Sequence, residues 1–256
     1  MTEHPMLFSG PMVRPILTCR NCGLTTLELV CPKCGSTERR KSQTRRLPTV
    51  RNSKCLSCRW RDLDWAKPIF VDDSYAPRAM VKVAGPNDTL HRVFCRYSVG
   101  DLLWVKETWA VRAKWDNLKP RELASGLTVL YAADGKPSDW GRNRSARFMP
   151  KKFARIWLRV RRVRAQWLQD ISEADAWEEG IHALAMTTRG LMAELKSPNI
   201  AVAGKARNPG LQLPGRYYFA CLWDSLHAKD GHGWAENPLV WATTLELVST
   251  TGRPKP

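Results

Sequence analysis

The sequence predicts an α+β fold rich in β-strands, and a strand-rich barrel is the architecture that we expect. Residues 155–163 alternate between apolar and mostly basic side chains, as a strand with one buried face does. Residues 100–111 are an apolar-rich run entered through a Gly-Asp turn, which is typical of a strand covered on both faces. Two amphipathic segments, 170–181 and 216–228, predict short helices between the strands.

The remaining elements follow from local signals. Residues 5–17 predict a short strand, a Ser-Gly-Pro turn and the first turns of a helix, which Pro11 is suited to begin. Residues 60–98 contain three prolines, and we expect mostly loop with short strands there. Residues 183–213 are expected to be a flexible insertion, and residues 237–248 predict a closing strand. A chain of 256 residues can bury a core in one or two domains.

The segment 170–181 carries the clearest helix signals. Ser172 is a suitable N-cap and is followed three residues later by Asp175. Ile171 can pack against the first turn, and Gly180 can end the helix.

The alternation in 155–163 also predicts which side chains face outward. Ile156, Leu158 and Val160 fall on one face of the strand and are expected in the core. The other face is basic with one aromatic side chain, and it suits a polynucleotide backbone. Its members are Arg155, Trp157, Arg159 and Arg161. Packing against a partner strand would explain Trp157 equally well.

The net charge of +17 is concentrated in two segments. Residues 39–61 contain nine Lys and Arg, residues 142–164 contain ten, and neither segment contains an acid. Without these 19 cations the chain has 22 basic and 24 acidic residues, so it is nearly neutral elsewhere. Clustered cations predict a polyphosphate partner such as nucleic acid. A solvated basic face without a ligand is the alternative.

Four cysteines in two Cys-x-x-Cys pairs predict a structural zinc site. Eight residues separate the pair Cys19 and Cys22 from the pair Cys31 and Cys34. Each pair can direct two thiolates at one ion, and two pairs complete a closed tetrahedral site. A glycine follows each pair, where a tight turn favours a residue without Cβ. Zn²⁺ is therefore the expected cofactor, with a pair of redox dithiols as the alternative.

The other cysteines leave several roles open. Cys55 and Cys58 could replace one of the first two pairs, or they could stay reduced without a ligand. They could also bind a second ion together with Cys95 or His91. Cys221 lies in an apolar helical segment and is expected to pack in the core.

The chain contains no apolar run near 18 residues, so we expect neither a transmembrane helix nor a membrane partner. Its first residues lack the basic and long apolar regions of a signal peptide. A cytoplasmic location is therefore expected, where Cys-x-x-Cys pairs bind metal or act in redox chemistry more often than they form structural disulfides.

Four parts of the sequence, in order along the chain, resemble the ASCH domain family and especially its bacteriophage-encoded members. They are residues 7–17 with 40–46, residues 97–109, residues 148–181 and residues 222–241. Together these parts span most of the chain, and the resemblance implies a PUA-like β-barrel over residues 5–250. It also implies that the zinc ribbon at 18–38 is an insertion and that the protein works in the cytoplasm of a bacterial host cell.

ASCH relatives carry a Gly-x-Lys-x-x-Thr-x-Arg signature at the end of the first helix. Lys41, Thr44 and Arg46 match it, whereas Arg39 occupies the glycine position because the cysteine segment is inserted just before it. Because arginine has a Cβ and glycine has none, this departure affects how closely the backbone can approach a ligand.

The similarity to the family's bacterial acetylcytidine amidohydrolase implies a catalytic set of Lys41, Thr44 and Glu179. In such a set the lysine activates the threonine hydroxyl and the glutamate passes the proton to the leaving amine. The substrate would be a nucleobase with an acylated exocyclic amine. In the alternative interpretation, Lys41 with Arg45 and Arg46 binds phosphate, Thr44 caps a helix end, and Glu179 is an exposed helix acid.

Glu107 is a competing pocket carboxylate, because Trp104 and Trp109 beside it could stack on a base. Barrel core is the alternative role for these two tryptophans. Three functions thus stay open: a nucleic-acid-binding or nucleotide-binding module, a hydrolase of acylated nucleobases, and a non-catalytic adaptor that binds a host protein. The expected binding residues are Arg45, Arg46, Trp104, Glu107, Trp157, Arg159 and Arg161.

Overall fold

The structure is a computed structural model. It describes residues 2–8, 13, 16–17, 29–37, 42–47, 64–71, 79–84, 90–135, 139–181 and 214–254. The predictions made for Lys41, for four of the cysteines (Cys19, Cys22, Cys55 and Cys58) and for the insertion 183–213 lie outside these residues. Strands predominate over helices in the described part, which confirms the α+β class. No closed barrel is formed by the described strands.

Ten strands and two α-helices follow one another in the described ranges. The strands are β1 (Glu3–Leu7), β2 (Gln43–Arg46), β3 (Asp64–Val71), β4 (Met80–Ala84), β5 (Leu90–Phe94), β6 (Leu102–Lys106), β7 (Trp109–Ala110), β8 (Leu130–Tyr131), β9 (Trp157–Trp167) and β10 (Leu239–Ser249). The helices are α1 (Glu173–Glu178) and α2 (Gly215–His227). None of these helices is long and apolar enough to cross a membrane.

The chain forms two compact units, each built from separate stretches of sequence. Unit 1 consists of Met1–Ser42, Gly100–Val160 and Leu245–Pro256, and unit 2 consists of Gln43–Val99 and Arg161–Thr244. Strands β9 and β10 therefore each contribute residues to both units. The single barrel domain over residues 5–250 stays a prediction.

In unit 1, β1, β6 and the first residues of β9 lie in that order in one sheet. β1 runs parallel to β6, with Pro5 opposite Trp104, and β6 pairs antiparallel with β9, with Trp104 opposite Trp157. The predicted strand at 100–111 is thus two strands, β6 and β7. A core cluster below them includes Trp109, Leu123 and Phe153.

In unit 2, β2 lies beside β10, and their antiparallel register places Thr44 opposite Thr243 and Arg45 opposite Ala242. Directly opposite residues of such a pair share a face of the sheet, and successive residues alternate between faces. One face of β2 therefore carries Gln43 and Arg45, and the other carries Thr44 and Arg46. Val240, on the Arg45 face of β10, packs in a core cluster with residues of α1 and α2.

A second sheet in unit 2 contains short strands of the kind expected within residues 60–98. They are β3, β4 and β5, which pair antiparallel in that order. The rest of this segment, where loop is expected, lies partly outside the described residues. Val81, Val83 and Val93 are buried on the sheet. The register of β3 shifts between Asp64 and Ile69, a segment that includes proline. Such an irregularity accommodates a residue without a backbone donor inside a strand.

The local signals of both helices and of the closing strand are confirmed. Ser172 Oγ accepts a hydrogen bond from the backbone N–H of Asp175 at 3.0 Å, as expected of an N-cap. Ile171 is buried, and Gly180 has a φ of +87° just after the helix, where glycine is favoured. Helix α2 and strand β10 occupy the segments predicted at 216–228 and 237–248.

Candidate nucleic-acid interface

Most cations of the basic segment 142–164 reach the surface. Only Arg144 and Arg155 of the ten are buried. The exposed members are Arg142, Arg147, Lys151, Lys152, Arg161 and Arg162, and the half-buried members are Arg159 and Arg164. Six of the ten cations of this segment are therefore exposed.

In unit 1, strand register gathers three of the predicted binding residues on one face of the sheet. Trp104 lies opposite Trp157, and Arg159 lies opposite Leu102, two residues before Trp104. Trp104 is half-buried, so part of its ring is accessible to solvent. An accessible aromatic ring beside a cation is the arrangement on which single-stranded bases stack.

Two lysines that are not among the predicted binding residues belong to the same face. Lys106 follows Trp104 by two residues, and its Nζ lies 5.5 Å from the centroid of the Trp104 ring. Lys151 Nζ lies 5.7 Å from the centroid of the Trp157 ring. Both distances are within the range of a cation–π interaction. The alternation of Trp104 and Lys106 along a strand was the signal that could have identified Lys106.

We call Trp104, Lys106, Lys151, Trp157 and Arg159 the aromatic–basic face of unit 1. Its cations are held in place by polar contacts: Lys106 Nζ donates to the carbonyl of Arg147, and Lys151 forms an ion pair with Glu3. Arg159 Nη1 lies 3.6 Å from Glu246 Oε2. Partial burial lowers the pKa of Lys106 below its ordinary value. These contacts orient the ammonium and guanidinium groups before any ligand binds.

Trp157 does not face outward as the alternation predicted. It is only 1% exposed, and its Nε1 donates to the carbonyl of Ala154 at 3.2 Å. The alternation correctly assigned Trp157 to the row of Arg159, but it could not show that neighbouring side chains cover the ring. Trp157 is therefore not accessible to a base, whereas the half-buried Trp104 opposite it presents part of its ring to solvent.

Glu107 and Arg155 form a buried ion pair in unit 1, which corrects the outward placement of Arg155 in the predicted basic row. Arg155 Nε donates to Glu107 Oε1 at 3.0 Å, and Arg155 Nη2 donates to Oε2 at 2.9 Å. Arg155 also bonds to Asp134, and its guanidinium lies 3.9 Å from the centroid of the Tyr131 ring. Burial raises the pKa of Glu107, and the hydrogen bonds from Arg155 oppose this rise. A carboxylate held in this way has a structural role. Trp109, the second tryptophan of the predicted pocket, is buried in a core cluster.

In unit 2, Arg45 is likewise enclosed instead of facing a phosphate. Its side chain is 0% exposed; Nη1 donates to Glu179 Oε1 at 2.8 Å and Nη2 to Asp175 Oδ2 at 3.0 Å. The guanidinium lies 5.8 Å from the centroid of the Phe219 ring. Gln43, on the same face of β2, donates to Asp175 at 2.6 Å. Arg45 therefore anchors α1 to β2, and it is not available to a nucleic acid.

The implied catalytic residues Thr44 and Glu179 lie on opposite sides of β2. Glu179 contacts Arg45, whereas Thr44, the preceding residue, points to the other face of the strand. Thr44 is 4% exposed and Glu179 is 2% exposed. The described residues thus do not bring this hydroxyl and this carboxylate together, and the catalytic set stays a prediction.

Arg46 and Arg161 of unit 2 are exposed, as a phosphate contact requires.

The second predicted zinc pair forms a tight turn in unit 1. The backbone N–H of Gly35 donates to the carbonyl of Cys31 at 2.8 Å, and Gly35 has a φ of +68°. The N–H of Cys31 donates to the carbonyl of Ser36 at 2.9 Å. Cys31 is buried and Cys34 is exposed. No group of three or more metal-ligating side chains lies within the described residues, to which Cys19 and Cys22 do not belong.

The other described cysteines have local surroundings that suit packing. Cys95 is buried, and its sulfur accepts the N–H of Tyr97 at 3.4 Å. Burial raises the pKa of the Cys221 thiol, which keeps it protonated and therefore a poor metal ligand.

Comparisons of the chain with protein-family models, with curated proteins and with solved structures found no match. The resemblance to the ASCH family and the PUA-like barrel that it implies therefore stay predictions.

Proposed function

We propose that the protein binds single-stranded nucleic acid, RNA above all, through the aromatic–basic face of unit 1. The observation that carries this proposal is the cluster around Trp104, whose half-buried ring shares one sheet face with Lys106 and Arg159. A base would stack on the accessible part of the Trp104 ring while the cations contact phosphates. Unit 1 carries further exposed cations in this part of the sequence, Arg142, Arg147 and Lys152, which add positive charge to the unit.

Fluorescence anisotropy with a labelled single-stranded RNA tests the proposal. Trp104→Ala should weaken binding by about 1–3 kcal/mol, the usual value of one stacked base. Lys106→Gln should weaken binding less and lower the slope of log K against log salt by about 1, because one phosphate contact is lost. Lys114→Gln is the matched control, since Lys114 Nζ lies 5.2 Å from the ring of Trp115 in the same unit. Affinity that ignores salt, or equal affinity of all three variants, would refute the proposal.

The hydrolase of acylated nucleobases is the alternative that geometry supports less, because Thr44 and Glu179 face opposite sides of β2. Turnover of acetylcytidine that is abolished by Thr44→Ala would restore it. The adaptor function would be favoured instead if nuclease-treated extracts yielded a stoichiometric host protein and the RNA arm showed no binding.

We also propose that the fold is a PUA-like barrel of the ASCH type with an inserted zinc ribbon. The strand-rich α+β architecture supports the barrel, and the turn at Cys31–Cys34 supports the ribbon, since Gly35 with positive φ closes a tight turn directly after the second cysteine. Cys19 and Cys22 would supply the other two thiolates, and the ion would stabilise the fold without taking part in chemistry. Metal analysis should find one zinc per chain, and Cys34→Ser should lose it; a metal-free wild type would exclude the ribbon.

A further inference from the structure

Phe148 presents an aromatic ring to solvent in unit 1. It is 63% exposed, the largest exposed fraction among the large apolar residues of the described part of the chain. A single exposed apolar side chain is common on protein surfaces and is not by itself a binding site. What distinguishes Phe148 is the turn that carries it, a short 3-10 helix at Ala146–Phe148, and the contact of that turn with the aromatic–basic face.

Hydrogen bonds hold the turn in place on both sides of Phe148. Ser145 Oγ accepts the N–H of Arg147 at 3.3 Å, and the carbonyl of Ser145 accepts the N–H of Phe148 at 3.1 Å. The next residue, Met149, is buried, and its sulfur accepts the backbone N–H of Glu107 at 3.2 Å. The ring of Phe148 is therefore displayed from an anchored backbone. Such a side chain loses little conformational freedom when a ligand binds.

Lys106 connects this turn to the aromatic–basic face of unit 1. Its Nζ donates a hydrogen bond to the carbonyl of Arg147, and the same peptide bond continues to the nitrogen of Phe148. This Nζ also lies 5.5 Å from the centroid of the Trp104 ring. One ammonium group therefore contacts both the half-buried ring of Trp104 and the peptide group next to the exposed ring of Phe148.

The charge at this position is positive. The side chain of Arg147 is exposed, so a guanidinium accompanies the ammonium of Lys106. An ammonium group has three donors, and the carbonyl of Arg147 uses one of them, so the others can bind oxygens of a ligand. Two aromatic side chains that share a cation match a nucleic acid strand, in which each phosphate joins two nucleosides. An apolar protein surface would leave these cations without a counter-charge.

We propose that Phe148 stacks a second base, so that the ligand of this face is a segment of at least two adjacent unpaired nucleotides. One base lies on Trp104 and the next on Phe148, and the phosphate that joins them binds Lys106 and Arg147. Every base has a π-face, so the second stack adds affinity without selecting one base. Bases of a duplex are not splayed out for stacking on side chains, so a double strand does not fit. This inference rests on the proposed function and specifies the length and the single-stranded character of its ligand.

Three substitutions of Phe148 test the stack by fluorescence anisotropy with a short labelled single-stranded RNA. Phe148→Ala and Phe148→Leu should weaken binding by about five- to 150-fold, because either change removes one stacked base. Phe148→Tyr keeps an aromatic ring and should bind like wild type. The thermal midpoint should be the same in all three, since Phe148 is mostly exposed. Leu29→Ala is the matched control: Leu29 is an apolar residue of unit 1, 43% exposed, in another part of the sequence.

Competition with unlabelled ligands tests the claim that two bases are bound. The dinucleotide uridylyl-uridine carries one phosphate, as uridine monophosphate does, so the two ligands differ chiefly by one nucleoside. The dinucleotide should compete at least about fivefold better than the mononucleotide for wild type. Phe148→Ala should remove this advantage, because the second nucleoside then has no ring to stack on.

The outcomes separate this inference from the proposed function. If Trp104→Ala weakens RNA binding and Phe148→Ala does not, the proposed function stands and the second stacking site is overturned. The second site is also overturned if Phe148→Leu binds like wild type, if Leu29→Ala weakens binding as much as Phe148→Ala, or if the two competitors are equal for wild type. If wild type binds no single-stranded RNA, or if neither Trp104→Ala nor Phe148→Ala weakens binding, both proposals fail.

Discussion

In the described part of each unit, a buried arginine is held by two carboxylates and an aromatic ring. The two centres differ in how completely the guanidinium is bonded. Arg155 of unit 1 bonds Glu107 through Nε and Nη2, and it also bonds Asp134. Arg45 of unit 2 bonds Glu179 and Asp175 through its two terminal nitrogens, and its buried Nε has no partner among the described residues.

The difference shows two uses of the same chemistry. Burial alone would lower the pKa of Arg155, but the hydrogen bonds and charges of Glu107 and Asp134 raise it. The Arg155 centre therefore has a structural role within unit 1. The Arg45 centre instead joins elements that are far apart in sequence, because its two carboxylates belong to α1 and the residue that ends it. Asp175 also accepts hydrogen bonds from Gln43 and Arg164. The first centre rigidifies one part of unit 1, whereas the second attaches a helix to a sheet.

The largest effect is expected when the Arg155–Glu107 ion pair loses one of its two partners. Arg155→Met leaves the carboxylate of Glu107 buried without its cation, and the free energy of unfolding should fall by about 3–5 kcal/mol in urea denaturation. The double variant Arg155→Met/Glu107→Leu should recover part of this loss, because no buried charge remains. A double variant as unstable as the single one would show that the pair is not the cause.

A smaller loss is expected in unit 2. Glu179→Gln removes one charged partner of Arg45 but leaves Asp175, so the free energy of unfolding should fall by about 1.5–3 kcal/mol. Hydrogen exchange should show faster opening of α1, because that helix loses part of its attachment. Glu178→Gln serves as the control, since Glu178 bonds the neutral amide of Gln43 instead of Arg45. Equal effects of the two variants would contradict the role assigned to the Arg45–Glu179 pair.

The outer carboxylates of the two centres allow a direct comparison. Asp134 has a side chain that is 42% exposed, and Asp134→Asn should change the free energy of unfolding by less than about 1 kcal/mol. Asp175 is 20% exposed and serves three donors, so Asp175→Asn should cost more, about 1–2 kcal/mol. Parallel urea titrations measure both. The interpretation of Asp175 as a shared acceptor fails if the order of the two variants is reversed.

The smallest effect on stability is expected from the protonation of His227, the last residue of α2. Burial, together with the charge of Arg46, lowers the pKa of His227 below 6.5. The unfolded chain therefore binds more protons than the folded chain as the pH falls below about 6.5, and stability decreases in that interval. His227→Gln should reduce this acid-dependent loss, measured as the thermal midpoint between pH 8 and pH 5. If wild type and variant lose the same stability, His227 is not the group responsible.

Local signals predicted the elements well, whereas the long-range contacts could not be predicted from them. The N-cap at Ser172 and the strand β9 depend on residues within one short segment, and both are confirmed, although Arg155 and Trp157 of the predicted outward row are buried. The pairing of Arg45 with Glu179 joins residues 134 positions apart, and no local pattern encodes it. The sequence predicts short strands within 60–98 but not their pairing into the sheet β3–β4–β5, because the prolines there suggest breaks; the register shift in β3 accommodates one of them.

For the candidate interface, period-two alternation placed Trp157 and Arg159 in one row, and strand register then brought Trp104 beside them. The sequence could not show that the Trp157 ring is covered or that Glu107 and Arg155 enclose each other, because both facts depend on residues that pack from other segments. Arg45 was misassigned for the same reason. Charge alone does not distinguish a surface arginine from one that is buried between carboxylates.

Pro5 has a consequence for self-association. β1 is the outermost strand of its sheet among the described strands, and its even-numbered residues bond to β6, as the N–H of Phe8 does to Lys106. The odd-numbered residues therefore turn their backbone groups away from β6, and among them Pro5 has no N–H to donate. A strand from another molecule could not extend this sheet with a continuous ladder, so the edge resists growth into aggregates.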